Sequence, residues 1–153
     1  MKKIVLSLVF GLAAITAFAQ ELKFEKTTHD FQKIQYAGNG TYEFEFKNTG
    51  DKPLIITKSK GSCGCTVPVW PKEPIMPGES NRIKVKYDTK RPGSFTKTVT
   101  VTSNSVTGKA IPNDTSGQTT VRLTIKGKVG PKPSIQEQEL LDDSQSPMTP
   151  IAN

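Results

Sequence analysis

Thr41-Tyr42-Glu43-Phe44-Glu45-Phe46-Lys47 alternates aromatic and polar residues at every step, so Tyr42, Phe44 and Phe46 share one face of an extended strand while the charges share the other. A helix would scatter the same residues around its circumference. The period of two returns in Arg82-Ile83-Lys84-Val85-Lys86-Tyr87 and in Val121-Arg122-Leu123-Thr124-Ile125-Lys126. Residues 96–102 alternate threonine with Lys97, Val99 and Val101, a β-branched run with strong strand preference. Pro53-Leu54-Ile55-Ile56-Thr57 is apolar on both faces and predicts a more central strand that opens at a proline.

Turn chemistry separates these runs: Gly38-Asn39-Gly40, Asn48-Thr49-Gly50-Asp51, Pro77-Gly78-Glu79 and Arg91-Pro92-Gly93 supply positive or fixed φ. Short strands at residues 22–26 and 66–69 bring the total to about seven. The predicted fold is all-β, an immunoglobulin-like antiparallel β-sandwich. The long polar segment at residues 103–118 joins two predicted strands and carries no recognisable chemistry, so it is read as a plain connection.

The first nineteen residues carry Lys2 and Lys3, an apolar run and Ala17-Phe18-Ala19, the pattern of an export signal cleaved before Gln20. The run is too short to span a bilayer. The expected mature protein is periplasmic or extracellular and touches the membrane only through that signal. Its body, residues 20–130, carries a net charge of +8, and residues 131–153 carry −3. That acidic end has too few apolar residues to offset the entropy of ordering and is read as a disordered tail.

Cys63 and Cys65, the only cysteines, flank Gly64 in Gly61-Ser62-Cys63-Gly64-Cys65-Thr66. Export permits a disulfide. On an extended strand the two Cα atoms would stand about 6.6 Å apart, near the upper limit of disulfide geometry. Gly61 and Gly64 support the turn, and bending at Gly64 could close the gap. Four roles follow, in order of preference: a local disulfide staple, buried thiols, a soft-metal site for Cu(I) or zinc, and thiol catalysis. A metal would need His29 or Met76 beside Cys63 and Cys65. Catalysis lacks the Cys-x-x-Cys spacing at a helix start.

His29 is the only histidine, and no nucleophile elbow or phosphate loop accompanies it, so no catalytic residue, metal or cofactor is assigned. Arg82, Lys84 and Lys86, with Arg122 and Lys126, are candidates for one basic sheet face. Nucleic acid is excluded as a partner by export and by aromatics committed to the core. Trp70, next to Pro71, is read either as packing over the cysteine turn or as an exposed contact for a partner protein or glycan.

Taken together, Thr28-His29-Asp30-Phe31-Gln32-Lys33-Ile34, then residues 44–54, then Ser62-Cys63-Gly64-Cys65-Thr66, then Ile75-Met76-Pro77-Gly78-Glu79 resemble a secreted family known as domain of unknown function 1573. The likeness covers about residues 24–129. It implies an exported protein of Bacteroidetes-like bacteria, an immunoglobulin-like sandwich related to Hydin-type and major-sperm-protein-like domains, and no established activity. Where the family usually has glycine after Asp-Phe, this chain has Gln32. The functional expectation is a non-enzymatic binding or structural module of the cell envelope, with a periplasmic thiol-redox or Cu(I) protein using Cys63 and Cys65 as the alternative.

Overall fold

The computed structural model describes residues 19–112 and 114–134. The export signal and the acidic tail lie outside the described residues except for Ala19 and residues 131–134. Among the described residues nine strands follow one another: β1 Leu22–Phe24, β2 Thr28–Ile34, β3 Thr41–Asn48, β4 Ile56–Gly61, β5 Thr66–Val69, β6 Ser80–Tyr87, β7 Gly93–Ser103, β8 Lys109–Ala110 and β9 Thr119–Val129. They form two sheets, β1-β3-β6-β5 and β2-β9-β7-β4, with β8 added beside β9. All pairings are antiparallel except β2 with β9, which run parallel.

The alternation in the sequence becomes the core. Phe44 and Phe46 of β3, Ile83 and Val85 of β6, Val99 and Val101 of β7, and Leu123 and Ile125 of β9 fill the space between the sheets. Each strand thereby turns its charged residues to solvent. On the outer side of the first sheet Glu43 receives Arg82 at 2.7 Å and Lys84 at 3.1 Å. The hydrogen bond from Arg82 holds the Glu43 carboxyl below the usual carboxylate range, and that from Lys84 lowers it further.

Two strands go beyond the seven read from pattern. In β2 the period is broken by a bulge, because pairing with β9 runs through Asp30 and resumes only at Lys33. Gln32 takes φ 57 there, and its N–H donates to Asp30 Oδ1 at 2.8 Å. Gln32 thus holds the left-handed conformation that glycine adopts most readily, at a steric cost to a residue with a Cβ. Gln32→Gly is expected to raise stability by about 1 kcal/mol, seen as a higher urea midpoint with an unchanged slope. An unchanged or lower midpoint would contradict the reading.

β4 also differs from expectation, starting at Ile56 where the apolar run is nearly over. Leu54 instead makes an isolated bridge to Ile75, with backbone hydrogen bonds of 2.9 and 2.8 Å. The segment at residues 103–118 is not a plain connection. Buried Ser105 and its neighbour Thr107 clamp β1: both hydroxyls accept from the Leu22 N–H, at 2.9 and 3.0 Å, and Ser105 Oγ donates to the Gln20 carbonyl at 3.2 Å.

Candidate functional site

The chain crosses from one sheet to the other between β4 and β5, and the two cysteines sit at that corner. Ser62 N–H donates to the Thr98 carbonyl of β7 at 2.8 Å. Beyond the turn the Cys65 carbonyl accepts from Asp88 N–H at 2.9 Å, just past β6. Between these anchors Thr66 N–H donates to the Cys63 carbonyl at 3.2 Å, so the segment is a tight turn and not an extended strand. That brings the Cα atoms to 5.2 Å, and Cys63 and Cys65 are joined as a disulfide. Cys65 is buried and Cys63 half-buried against the core.

The two glycines of the turn have unequal parts. At Gly61 a Cβ would run into the Thr66 carbonyl, because β4 and β5 approach closely there. At Gly64 a Cβ would enter open space, and the residue does not take a positive φ. The bend expected of Gly64 is thus made by the turn hydrogen bond, and only Gly61 is sterically required.

Beside the disulfide a shallow groove of about 430 Å³ is lined by residues that include Gly64, Cys65, Val67, Val69, Lys84 and Lys86. Val67 is 55% exposed and Val69 60%. They stand side by side on the outer face of β5, opposite Lys86 and Lys84 of β6. The Cys65–Asp88 hydrogen bond fixes the ladder so that Val67 and Val69 pair with β6 and Pro68 lies along the free edge. A proline there offers no N–H to an incoming strand. Side chains, not added backbone, are what this edge presents.

The metal set is not assembled. Met76 lies before β6, its carbonyl bonded to Glu79 N–H, whereas Cys65 lies past the far end of that strand. Seven residue steps at about 3.3 Å separate those ends by some 23 Å. His29 belongs to β2, at the sheet edge opposite β4. Among the described residues no group of three His, Cys, Asp or Glu side chains gathers as metal ligands.

His29 instead stacks on Tyr42 with ring centroids 3.6 Å apart and meets Phe31 edge-on at 4.5 Å. Burial holds its pKa below the ordinary value of about 6.5, with Asp30 opposing and Lys26 reinforcing the shift. The unfolded chain then binds more protons than the folded one just below pH 6.5. Stability is expected to be complete above that pH and to fall as pH drops through it, and His29→Phe should remove this slope. Urea midpoints between pH 7.5 and 5.5 provide the check, and equal slopes in both proteins would contradict it.

The single basic face is corrected by the topology. Arg82, Lys84 and Lys86 point outward from β6 in one sheet, and Arg122 and Lys126 point outward from β9 in the other, with the core between them. Trp70 packs on the core, half-buried, with Lys72 Nζ 3.2 Å from its ring centroid and its indole N–H buried without a partner. It follows β5 at the end away from the cysteines and is held against the core instead of standing free. The exposed valine pair was missed, although the alternation of Thr66-Val67-Pro68-Val69 already places both on one face.

Two packed sheets without a helix among the described residues, one of them with a parallel strand pair at its edge, define an immunoglobulin-like β-sandwich. The family model described as "Protein of unknown function (DUF1573)" matches residues 22–129, and the chain belongs to that family. No curated protein sequence matches it. Among solved structures it is similar to the human CEP192 ASH/PapD-like domain, at 8% identity and TM-score 0.58, covering 88% of this chain and 100% of that one. It is also similar to the YadV chaperone, at 15% identity and TM-score 0.51, covering 79% of this chain and 58% of that one. A third likeness is to the Vibrio cholerae VesB protease, at 14% identity and TM-score 0.54, covering 71% of this chain but only 32% of the protease. At these identities the likenesses show the fold alone.

Proposed function

We propose that the protein is an exported, non-enzymatic binding module of the cell envelope that meets a partner protein at the corner between β4 and β5. The observation that carries this reading is the pair of exposed valines, Val67 and Val69, on an edge strand whose proline already discourages strand addition. Two large apolar side chains set between Lys84 and Lys86 suit a partner segment with apolar residues and acidic neighbours. The disulfide and the hydrogen bonds of Ser62 and Cys65 to both sheets hold this surface rigid before binding, which reduces the entropy lost on association. The likeness to chaperone domains is compatible with a protein partner but names none.

A photo-crosslinking residue placed at Val67, in the full chain expressed in its native cells, is expected to capture one dominant envelope protein. The same residue at Thr100, on the opposite face, should not capture it. Val69→Lys should then reduce the Val67 adduct at least tenfold. Equal labelling from both positions, or an adduct indifferent to Val69→Lys, would overturn the proposal.

A further inference from the structure

The outer faces of the two sheets differ in charge balance. On the β1-β3-β6-β5 sheet, Arg82 and Lys84 are answered by Glu43 and Glu45, which leaves three outward lysines, Lys23, Lys47 and Lys86, without a carboxylate at salt-bridge distance among the described residues. On the β2-β9-β7-β4 sheet the outward positions of the strands carry Lys33, Lys58, Lys60, Arg122, Lys126 and Lys128 against one carboxylate, Asp30. Asp30 pairs with Lys126 at 3.4 Å, and among the described residues the other five have no carboxylate within salt-bridge distance.

Their placement is regular. Lys60, Thr100 and Arg122 form one row across β4, β7 and β9, and Lys58, Thr102 and Thr120 form the next. At about 4.8 Å per strand the flanking cations stand roughly 10 Å apart across a floor of threonine hydroxyls. A shallow groove lined by Lys58, Lys60, Ser62, Thr98, Thr100 and Thr102 runs along it. Lys33 lies directly opposite Lys128, a like-charge pair that costs stability unless an anion lies against it. The surface is shaped for a linear polyanion.

The chain supplies one. β9 ends at Val129, and Gly130 N–H donates to the Ile34 carbonyl at 2.8 Å, so the chain leaves this sheet beside Lys33 and Lys128. Glu137, Glu139, Asp142 and Asp143 follow within the next thirteen positions. Seven residues after Gly130 reach at most about 23 Å and thirteen about 43 Å, against roughly 20 Å along β9 from Lys128 to Arg122. A tether of that length holds the acidic segment at an effective concentration on the order of millimolar.

We propose that the outer face of the β2-β9-β7-β4 sheet is a polyanion-binding face whose resident occupant is the acidic segment at residues 137–143 of the same chain. Its four carboxylates complement the cations of this face that have no carboxylate partner among the described residues, Lys128, Arg122, Lys58 and Lys60. An external polyanion reaches the face only by displacing it. The valine surface at β5 lies on the other sheet and is independent of this contact.

The test compares the full chain with a full-length variant carrying Glu137→Gln, Glu139→Gln, Asp142→Asn and Asp143→Asn. In amide NMR spectra at low salt, Thr98, Thr100, Arg122 and Lys126 are expected to differ between the two, Arg82 and Lys84 are not, and about 0.5 M salt should erase the differences. Dextran sulfate should bind the variant about tenfold more tightly at about 0.15 M salt, and Lys60→Glu with Arg122→Glu should cancel that gain. Unchanged sheet amides, equal changes on both faces, or equal dextran sulfate affinity would overturn the proposal. Differences that grow with protein concentration would also overturn it, by assigning the occupant to a second copy.

Discussion

Asn48→Ala is expected to lower stability by about 3 kcal/mol and the melting temperature by roughly 10–20 °C. Asn48 is fully buried at the end of β3, where a polar side chain survives only if its hydrogen bonds are met. Its Nδ2 donates to the carbonyls of Lys52 and Ile75 at 2.8 and 2.9 Å, and its Oδ1 accepts from Gly50 N–H at 3.0 Å. Its own backbone meets Glu79 and Gly78. One side chain thus ties the turn after β3 to the approach of β6. Alanine leaves the partly buried Lys52 carbonyl and Gly50 N–H without these partners and removes one of the two hydrogen bonds to the Ile75 carbonyl. Asn48→Asp should be at least as damaging, because a carboxylate cannot donate to either carbonyl and carries a charge into the interior. Urea unfolding monitored by far-UV circular dichroism measures both. A loss under 1 kcal/mol for alanine would show that the two carbonyls find other partners.

The second large effect concerns the glycines around the disulfide, and here two similar substitutions should diverge. Gly61→Ala forces a methyl group into the Thr66 carbonyl, so β4 and β5 must separate at the corner. A cost of about 2 kcal/mol or more is expected, typical of overpacking against backbone that cannot yield. Gly64→Ala meets open space and should change stability by less than about 0.5 kcal/mol. Thermal unfolding of the two proteins under oxidising conditions makes the comparison. Equal losses would mean that Gly64 carries the turn after all.

The architecture was legible because the strands of the core alternate cleanly: Phe44 and Phe46, Ile83 and Val85, and Leu123 and Ile125 are all inside. β2 was hidden by the bulge at Gln32, which moves Lys33 and Ile34 out of phase with His29 and Phe31. β4 was displaced because after buried Ile56 its inward positions are the small residues Ser59 and Gly61, the second at the close approach of β5, whereas apolar Ile55 lies outward. The clamp made by Ser105 and Thr107 was invisible for another reason. It joins residues more than eighty positions apart through hydroxyl groups, and no local period encodes such a contact.

At the candidate site the sequence identified the sulfur pair and the need for a bend, but not the source of the bend. It also grouped Arg82 with Arg122, since strand alternation tells which residues face outward but not which sheet they face from. That distinction depends on strand order, in which β6 and β9 belong to different layers. Once it is made, Arg82 and Lys84 fall on the face where Glu43 and Glu45 answer them, and Arg122 and Lys126 on a face whose strands offer one carboxylate, Asp30.

In the proposed function the closed sulfur pair stiffens a binding corner and takes no part in redox or metal chemistry. Intact mass spectrometry of the mature protein from its native compartment, with and without thiol alkylation and under native spraying, tests this most directly. The expected result is a chain beginning at Gln20, two hydrogens lighter than the reduced sequence, with no alkyl adduct and no bound copper. Two alkylated cysteines or a retained copper ion would contradict it.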